Sequence, residues 1–472
     1  MSTHHLTTDV FTFRHKGRHV VYAPFRGLSF LCNDATANVL FQIQQGTYIQ
    51  NGDEAELKLL KFLEEKGIIN GNNEKPTFHQ NEVMFQPTMV TLFLTNNCNL
   101  RCVYCYASSG DAVVRTMPWE MAKAAIDYVA HNAKETGHKQ FSVGFHGGGE
   151  PLLCWSLFQR CVEYAKETAE KIGLRASCFS ATNGVLSRRQ VEWIAKHLDS
   201  LSISLDGPED VQNAQRPLAN GKASYAAVER TIKILDTHHF DYGIRSTITN
   251  LNVHQMSEMV EMFHERFATK QLHFEPLFVC GRCLHSKIAA PSYRVFMREF
   301  LKASKVAARY GMKVRYSGLR VDTITNAFCG ACTDNFCVTP EGMVSSCYEV
   351  LVAGDPRSDL FFYGRYDPQT QNFDISDEKR RGLHALSVEK IPYCTNCIAK
   401  WHCAGDCPSK VSYESTVDGK RGSVRCLTNQ YLTQRSILER MIIPAATQEA
   451  TAAGAKAQLV ESNEVPHAQR TL

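Results

Sequence analysis

The sequence lacks any apolar run approaching the eighteen or so residues that cross a bilayer. Its start, MSTHHLTTDVFTFRHKG, has none of the apolar core of a secretory signal. Both absences point to a cytoplasmic protein. There is also little excess charge, because 52 Lys and Arg against 48 Asp and Glu leave +4 over 472 residues, with no polybasic run. Such a balance gives neither nucleic acid nor a membrane surface a footprint, so no partner of either kind is expected. A third absence is local. Cys98, Cys102 and Cys105 crowd into TNNCNLRCVYCYA, yet no fourth cysteine stands close by. Metals held by thiolates usually take four ligands, so the vacancy needs a chemical reason.

What is present is size, apolar content and sulfur. With 472 residues and 44% apolar residues, the chain should form two or three domains with a well-buried core. Eighteen cysteines are many. A reducing compartment disfavours structural disulfides, so clustered cysteines there read as metal or redox sites. Cys32, Cys154, Cys161 and Cys178 stand apart from any cluster and read as small buried hydrophobes.

Residues 1–85 alternate early (FTFRHKGRHVVYA) and then turn helical, with Leu59, Phe62 and Leu63 on one face, which predicts a small winged-helix-like segment. GNNEKPTFHQ, residues 71–80, reads as a linker. From residue 88 the apolar runs MVTLFLT, FSVGFHG, ASCFSATNG, LSISLDG, DYGIRSTIT and LHFEPLF each precede a helical stretch. Six such repeats predict an α/β fold with a parallel sheet, a partial (β/α)6 TIM-like barrel over residues 86–313. In such folds ligands sit at the carboxyl ends of the strands. That rim would gather the cysteine loop, GGGEP, TNG, LDG, the segment from Arg245 to Thr247, and Glu275. Residues 441–472 are polar and alanine-rich and read as a disordered tail.

A CxxxCxxC loop is short enough to wrap one compact inorganic centre. Zinc would need a fourth ligand for closure, or leave an open site suited to hydrolysis. A 4Fe-4S cluster held by three thiolates would keep one iron open for a chelating small molecule. Tyr104, beside the last cysteine, is placed to stack on an adenine. The loop CNLRCVYC after a strand, followed by GGGEP, TNG and SLDGP, resembles the core of the radical S-adenosylmethionine superfamily. That resemblance implies that Cys98, Cys102 and Cys105 bind a 4Fe-4S cluster whose open iron chelates S-adenosylmethionine. It implies that Gly148, Gly149 and Glu150 receive the methionine ammonium, that Asn183, Ser204 and Asp206 contact the ribose or shape its pocket, and that Arg216 pairs with the methionine carboxylate. FHGGGEP carries one glycine more than the family's usual segment, at Gly147.

Downstream, CGACTDNFCVTPEGMVSSC and CTNCIAKWHCAGDC, with Cys426 beyond them, resemble the SPASM extension of these enzymes over residues 314–440. That extension implies two auxiliary 4Fe-4S clusters. One would take Cys394, Cys397, Cys403 and Cys426. The other would take Cys347 and Cys407 with two of Cys329, Cys332 and Cys337, the first two being favoured. Cys280 and Cys283, in VCGRC, lie outside this pattern and read as plain buried residues or, failing that, as spare thiols near the rim.

Enzymes of this kind act on ribosomally made peptides or proteins, and the N-terminal segment is suited to bind such a substrate by strand addition. The expectation is a peptide maturase that forms a thioether or carbon–carbon crosslink, fed by a low-potential electron donor of ferredoxin or flavodoxin type. Sulfatase maturation, which yields formylglycine, is the alternative. Its enzymes place an aspartate after the cysteine matched by Cys347, where this chain has Tyr348. A non-catalytic iron–sulfur or zinc sensor is disfavoured by the intact rim motifs.

Overall fold

The computed structural model describes residues 4–76, 78, 84–411, 416–417, 420–421 and 424–442. The tail expected at 441–472 falls almost wholly outside them. Residues 11–32 form an antiparallel sheet of β1 (Phe11–His15), β2 (Arg18–Ala23) and β3 (Leu28–Cys32). Two helices follow, α1 (Asp34–Gln45) and α2 (Glu54–Glu65). Each starts where a side-chain oxygen satisfies an orphan N–H: Asn33 accepts from Thr36 at 2.9 Å and Asp53 from Glu56 at 2.8 Å. Leu40, Ile43, Leu60 and Leu63 close a small core against Val21 and Ile69. The sheet's other face is apolar too, and Phe11 and Val20 pack on Ile391, Ile398 and Trp401 of the C-terminal region.

The barrel is built from β4 (Met89–Leu92), β5 (Gln140–Phe145), β6 (Arg175–Thr182), β7 (Ser200–Ser204), β8 (Tyr242–Ile248) and β9 (Gln271–Pro276), paired in that order and all parallel. Helices α3 (Trp119–Glu135), α4 (Trp155–Ile172), α5 (Arg188–His197), α6 (Glu209–Gln215), α7 (Tyr225–Thr237), α8 (Met256–Arg266) and α9 (Tyr293–Arg309) cover the outer face. Burial alternates along the strands. On β8, Tyr242, Ile244, Ser246 and Ile248 are buried under helices, while Gly243, Arg245 and Thr247 are half-buried and face the lumen. Cys161 of α4 and Cys178 of β6 are fully buried in the core between helix and sheet.

The barrel does not close. Beyond β9 the sheet continues to β10 (Lys313–Arg315), and beyond β4 it continues into β11 (Phe336–Val338), β12 (Met343–Ser345), β13 (Phe362–Asp367) and β14 (Asn372–Ile375). β11 pairs parallel with β4, Phe336 opposite Val90, and the next three strands form an antiparallel meander. One eleven-stranded sheet thus joins the barrel to the cysteine-rich region. No helix among the described residues is long and apolar enough to cross a membrane.

Candidate functional site

After β4 the chain crosses the carboxyl mouth of the barrel as the loop bearing Cys98, Cys102 and Cys105. It is fastened through its backbone: the N–H groups of Arg101 and Val103 donate to Pro217 and Gln215 at 2.8 and 2.9 Å, and the Arg101 side chain donates to the Cys98 carbonyl at 2.8 Å. The sulfurs meet donors, with Leu100 N–H 3.4 Å and Asn183 Nδ2 3.7 Å from Cys98 Sγ. Burial pushes the Cys102 thiol up to about 12, against the pull of the Arg216 guanidinium, and Cys105 and Cys98 add to the rise. A buried thiol such as Cys102 ionises readily only when a cationic centre sits beside it.

Gly149 belongs to the same wall. A Cβ there would stand 2.1 Å from the Asn97 carbonyl oxygen, so only glycine allows the turn after β5 to touch the cysteine loop. Gly148, with φ +119°, adopts a conformation that side chains avoid. Glu150 is buried and accepts from Thr182 Oγ1 at 2.8 Å and from the Asn183 N–H at 2.7 Å. Burial still lifts its carboxyl to about 7. Arg216 donates to the Tyr104 hydroxyl at 2.7 Å, while its buried Nε has no partner. The Tyr104 hydroxyl in turn donates to Asp206. Asp206 also accepts from Gln215 Nε2 at 2.8 Å and the Thr247 N–H at 2.9 Å, so its carboxylate is filled by protein donors. Asn183 bridges to Asn99 at 2.7 Å, and Ser204 is half-buried on the lumen face beside Arg245. A carboxylate awaiting a cation and a guanidinium edge awaiting an anion, both beside the thiols, suit the amino and carboxylate ends of an amino acid.

The remaining cysteines gather in two groups. Cys394, Cys397, Cys403 and Cys426 line one cavity together with Lys400 and Asn429, and Asn429 Nδ2 donates to Cys403 Sγ at 3.1 Å. Cys329 and Cys332 share a hydrogen bond, and Cys337, Cys347 and Cys407 each lie within electrostatic reach of Cys329. Cys337 accepts from Asn335 Nδ2 at 3.2 Å. Among the described residues no three His, Cys, Asp or Glu side chains converge on one metal-ion position. A zinc ion would draw its sulfurs in to about 2.3 Å.

Residues 92–265 match the pattern of the Radical SAM superfamily. Over that stretch the chain carries a radical SAM domain. The superfamily's enzymes bind S-adenosylmethionine at a 4Fe-4S cluster. An uncharacterized protein of Methanocaldococcus jannaschii is 32% identical over 187 residues, 39% of this chain and 61% of its own length. The mycofactocin maturase of Mycolicibacterium smegmatis is 33% identical over 190 residues, 39% of this chain and 44% of its own. The chain thus spans less than two thirds of either relative. A serine-type anaerobic sulfatase-maturating enzyme of Klebsiella aerogenes matches further, at 24% over 331 residues, 67% of this chain and 78% of that one. The solved structure of native anSMEcpe with bound AdoMet and Cp18Cys peptide shares the fold, with TM-score 0.59 at 19% identity, 74% of this chain and 98% of that one being covered.

Several residues of the barrel mouth carry no motif. Arg282, in the turn that holds Cys280 and Cys283, donates to the carbonyls of Cys102 at 2.8 Å and Ser109 at 2.9 Å and pairs with Asp111 at 2.8 Å. Gly281 beside it has φ +56°, and a Cβ there would meet the Cys105 carbonyl oxygen at 2.4 Å. Cys283 is buried and Cys280 half-buried, and the turn between them meets the cysteine loop where the Arg282 N–H donates to the Cys105 carbonyl at 3.0 Å. Glu275 reaches the rim but turns to the C-terminal region, pairing with Arg425 at 3.2 Å and accepting from Ser317 Oγ at 2.8 Å. His273, Arg425 and Lys410 hold it ionised, well below the usual carboxylate range despite its burial. The only sequence signal for these contacts is the placement of charged residues just after strands.

Proposed function

We propose that this chain is a peptide maturase that installs a thioether or carbon–carbon crosslink on a ribosomally made peptide. The observation that carries the radical part is the conjunction of the three-cysteine loop with its buried Cys102, the Glu150 carboxyl and the orphaned Nε of Arg216 at one barrel mouth. Cys98, Cys102 and Cys105 would hold the first 4Fe-4S cluster. Glu150 would accept the ammonium of S-adenosylmethionine and Arg216 its carboxylate. Tyr104, Asn183, Ser204 and Asp206 would shape the nucleoside pocket, Asp206 through its hold on Tyr104 and the β8 backbone. When bound, the cluster and S-adenosylmethionine supply a 5′-deoxyadenosyl radical that abstracts hydrogen from the substrate. The protein's own part is to orient both partners and exclude water.

Cys394, Cys397, Cys403 and Cys426 would hold one auxiliary cluster, and Cys329, Cys332, Cys347 and Cys407 the other, within a SPASM domain. Four protein thiolates for each suit electron transfer, with a ferredoxin- or flavodoxin-type donor feeding the first cluster. The exposed edge of β3 suits strand addition by the peptide. The kinship with a mycofactocin maturase supports a peptide substrate.

The longer match to a sulfatase-maturating enzyme favours formylglycine formation as a second reading. Against it stands Tyr348, whose ring stacks on His146 with centroids 4.8 Å apart where an acid/base carboxylate is required.

Anaerobic reconstitution should load about twelve irons per chain, and the reduced enzyme should cleave S-adenosylmethionine. Cys102→Ala should abolish cleavage. Stoichiometric zinc without a reducible cluster, or cleavage persisting in that variant, overturns the radical assignment. Mass spectrometry after incubation with a short peptide encoded beside this gene should show loss of two hydrogens. Formylglycine in a sulfatase-derived peptide would select the second reading.

A further inference from the structure

The lumen face of the barrel is lined near its mouth by His146, Ser204, Arg245 and His273, brought level by the pairing of Ser204 with Arg245 and of Arg245 with His273. The lumen is open, since Ser202, Ser204, Gly243, Arg245 and His273 are half-buried while their outward neighbours are buried. The residues deeper in it, Gly243 and Ser202, are small.

Most charges around this space are spoken for. Arg425 is paired with Glu275 and Asp406, Lys410 with Glu349, and Arg357 with Asp355. Arg245 differs. Its side chain meets His273 Nε2 at 3.4 Å, the same nitrogen that lies 3.2 Å from Glu275, and among the described residues no carboxylate stands within ion-pair distance of the guanidinium itself. A guanidinium drawn into a half-buried lumen without an anion forfeits hydration for nothing, unless an anion arrives with the ligand. The two imidazoles beside it are not competitors for that anion's role. Burial and the Arg245 charge hold His146 and His273 neutral, and each has a buried Nδ1 without a partner. The place is also close to the chemistry: Tyr106, next to Cys105, feels the Arg245 charge and donates to the Tyr348 carbonyl at 3.3 Å.

We propose that Arg245 is the specificity residue of the substrate site and binds a carboxylate of the peptide next to the reacting centre. The guanidinium fork takes the carboxylate through two parallel N–H donors, while His273, held by Glu275 at 3.2 Å, steadies the guanidinium from the side. This rests on the peptide-maturase reading. It narrows the substrate to peptides that carry an acidic side chain or present their own carboxyl terminus at the barrel mouth.

The test uses the full-length enzyme, reconstituted anaerobically, saturated with S-adenosylmethionine and immobilised. Three synthetic pools of random octapeptides are passed over it: one with Asp and Glu and amidated termini, one without acids but with free carboxyl termini, and one with Asn and Gln and amidated termini. Retention is read by mass spectrometry. The wild type should retain one acidic pool about tenfold over the amide pool, the scale of one charge-assisted contact. Which acidic pool is retained tells side chain from terminus. Arg245→Gln should bring the ratio to about one, and Arg245→Lys should leave an intermediate ratio, iron content and melting temperature serving as checks on folding. Equal retention of all pools by the wild type, or an acid preference undiminished in Arg245→Gln, overturns the assignment. Retention needs no turnover, so a wild type that fails to cleave S-adenosylmethionine sinks the radical reading and leaves this measurement intact.

Discussion

Burial holds the Glu150 carboxyl near pH 7, far above its ordinary value, although Asn183 and Thr182 donate to it and Arg216 helps from a distance. The sign of the consequence is fixed. A carboxyl whose folded pKa is raised binds its proton more tightly when folded, so stability is greatest below the unfolded value and falls as pH rises to about 7. The full effect is about 3 kcal/mol, each pKa unit being worth about 1.4 kcal/mol. Cluster-loaded enzyme without S-adenosylmethionine should therefore melt at lower temperature at pH 8 than at pH 5.5, and Glu150→Gln should flatten this slope. The ligand should reverse the preference, because its ammonium needs the ionised acid. Equilibrium dialysis should show weaker binding to the wild type at pH 6 than at pH 8, and weak binding to Glu150→Gln at both.

At the scale of the element, the loop of three cysteines is a surface feature made rigid by its neighbours. Gly149 supports it from the turn after β5 and Arg282 from the turn after β9. Gly149→Ala puts a methyl group into the Asn97 carbonyl, so this variant should load about eight irons in place of about twelve, with the deficit in the first cluster. Electron paramagnetic resonance distinguishes which cluster is missing. Arg282→Gln removes side-chain tethers to Cys102, Ser109 and Asp111 without a clash, and should speed the bleaching of that cluster in air several-fold while total loading stays near normal. These two turns differ in how far the sequence announces them. GGGEP declares itself by glycines that a close approach requires, and each β/α repeat declares itself by local periodicity. Arg282 does not, because its partners lie about 180 positions away and nothing in VCGRC encodes which carbonyls it will meet. The same holds for Arg425, whose bond to Glu275 exists only once the C-terminal helix (Val424–Ile442) has docked. Local pattern carried the barrel and its motifs, while the long-range pairings that fix their geometry were hidden.

On the scale of the whole molecule, the N-terminal sheet is seated on the segment that carries Cys394, Cys397 and Cys403. Trp401 stacks on Phe78 with centroids 5.4 Å apart, the Tyr22 hydroxyl meets His402 Nε2 at 2.5 Å, and Lys400 pairs with Asp9 at 2.8 Å. Both members of that ion pair are buried, Lys400 being 9% exposed and Asp9 4%. Asp9→Ala strands the lysine and should cost about 3 kcal/mol, whereas Asp9→Ala with Lys400→Met should recover most of it. Denaturant unfolding of the reconstituted enzyme reads both. Residues 400–403 thus serve two masters, the N-terminal sheet on one side and a cysteine-lined cavity on the other.

The pairing of β11 with β4 has a mechanical meaning as well. A boundary near residue 313 divides the chain by composition, but the hydrogen-bond ladder runs across it without interruption, so the two sides have no hinge. The separation between the first cysteine loop and the auxiliary groups behaves as a fixed gauge length rather than an adjustable one. Cut there, the molecule would yield two fragments with complementary raw edges, each the missing strand of the other, and they should be recovered only as a reassembled pair.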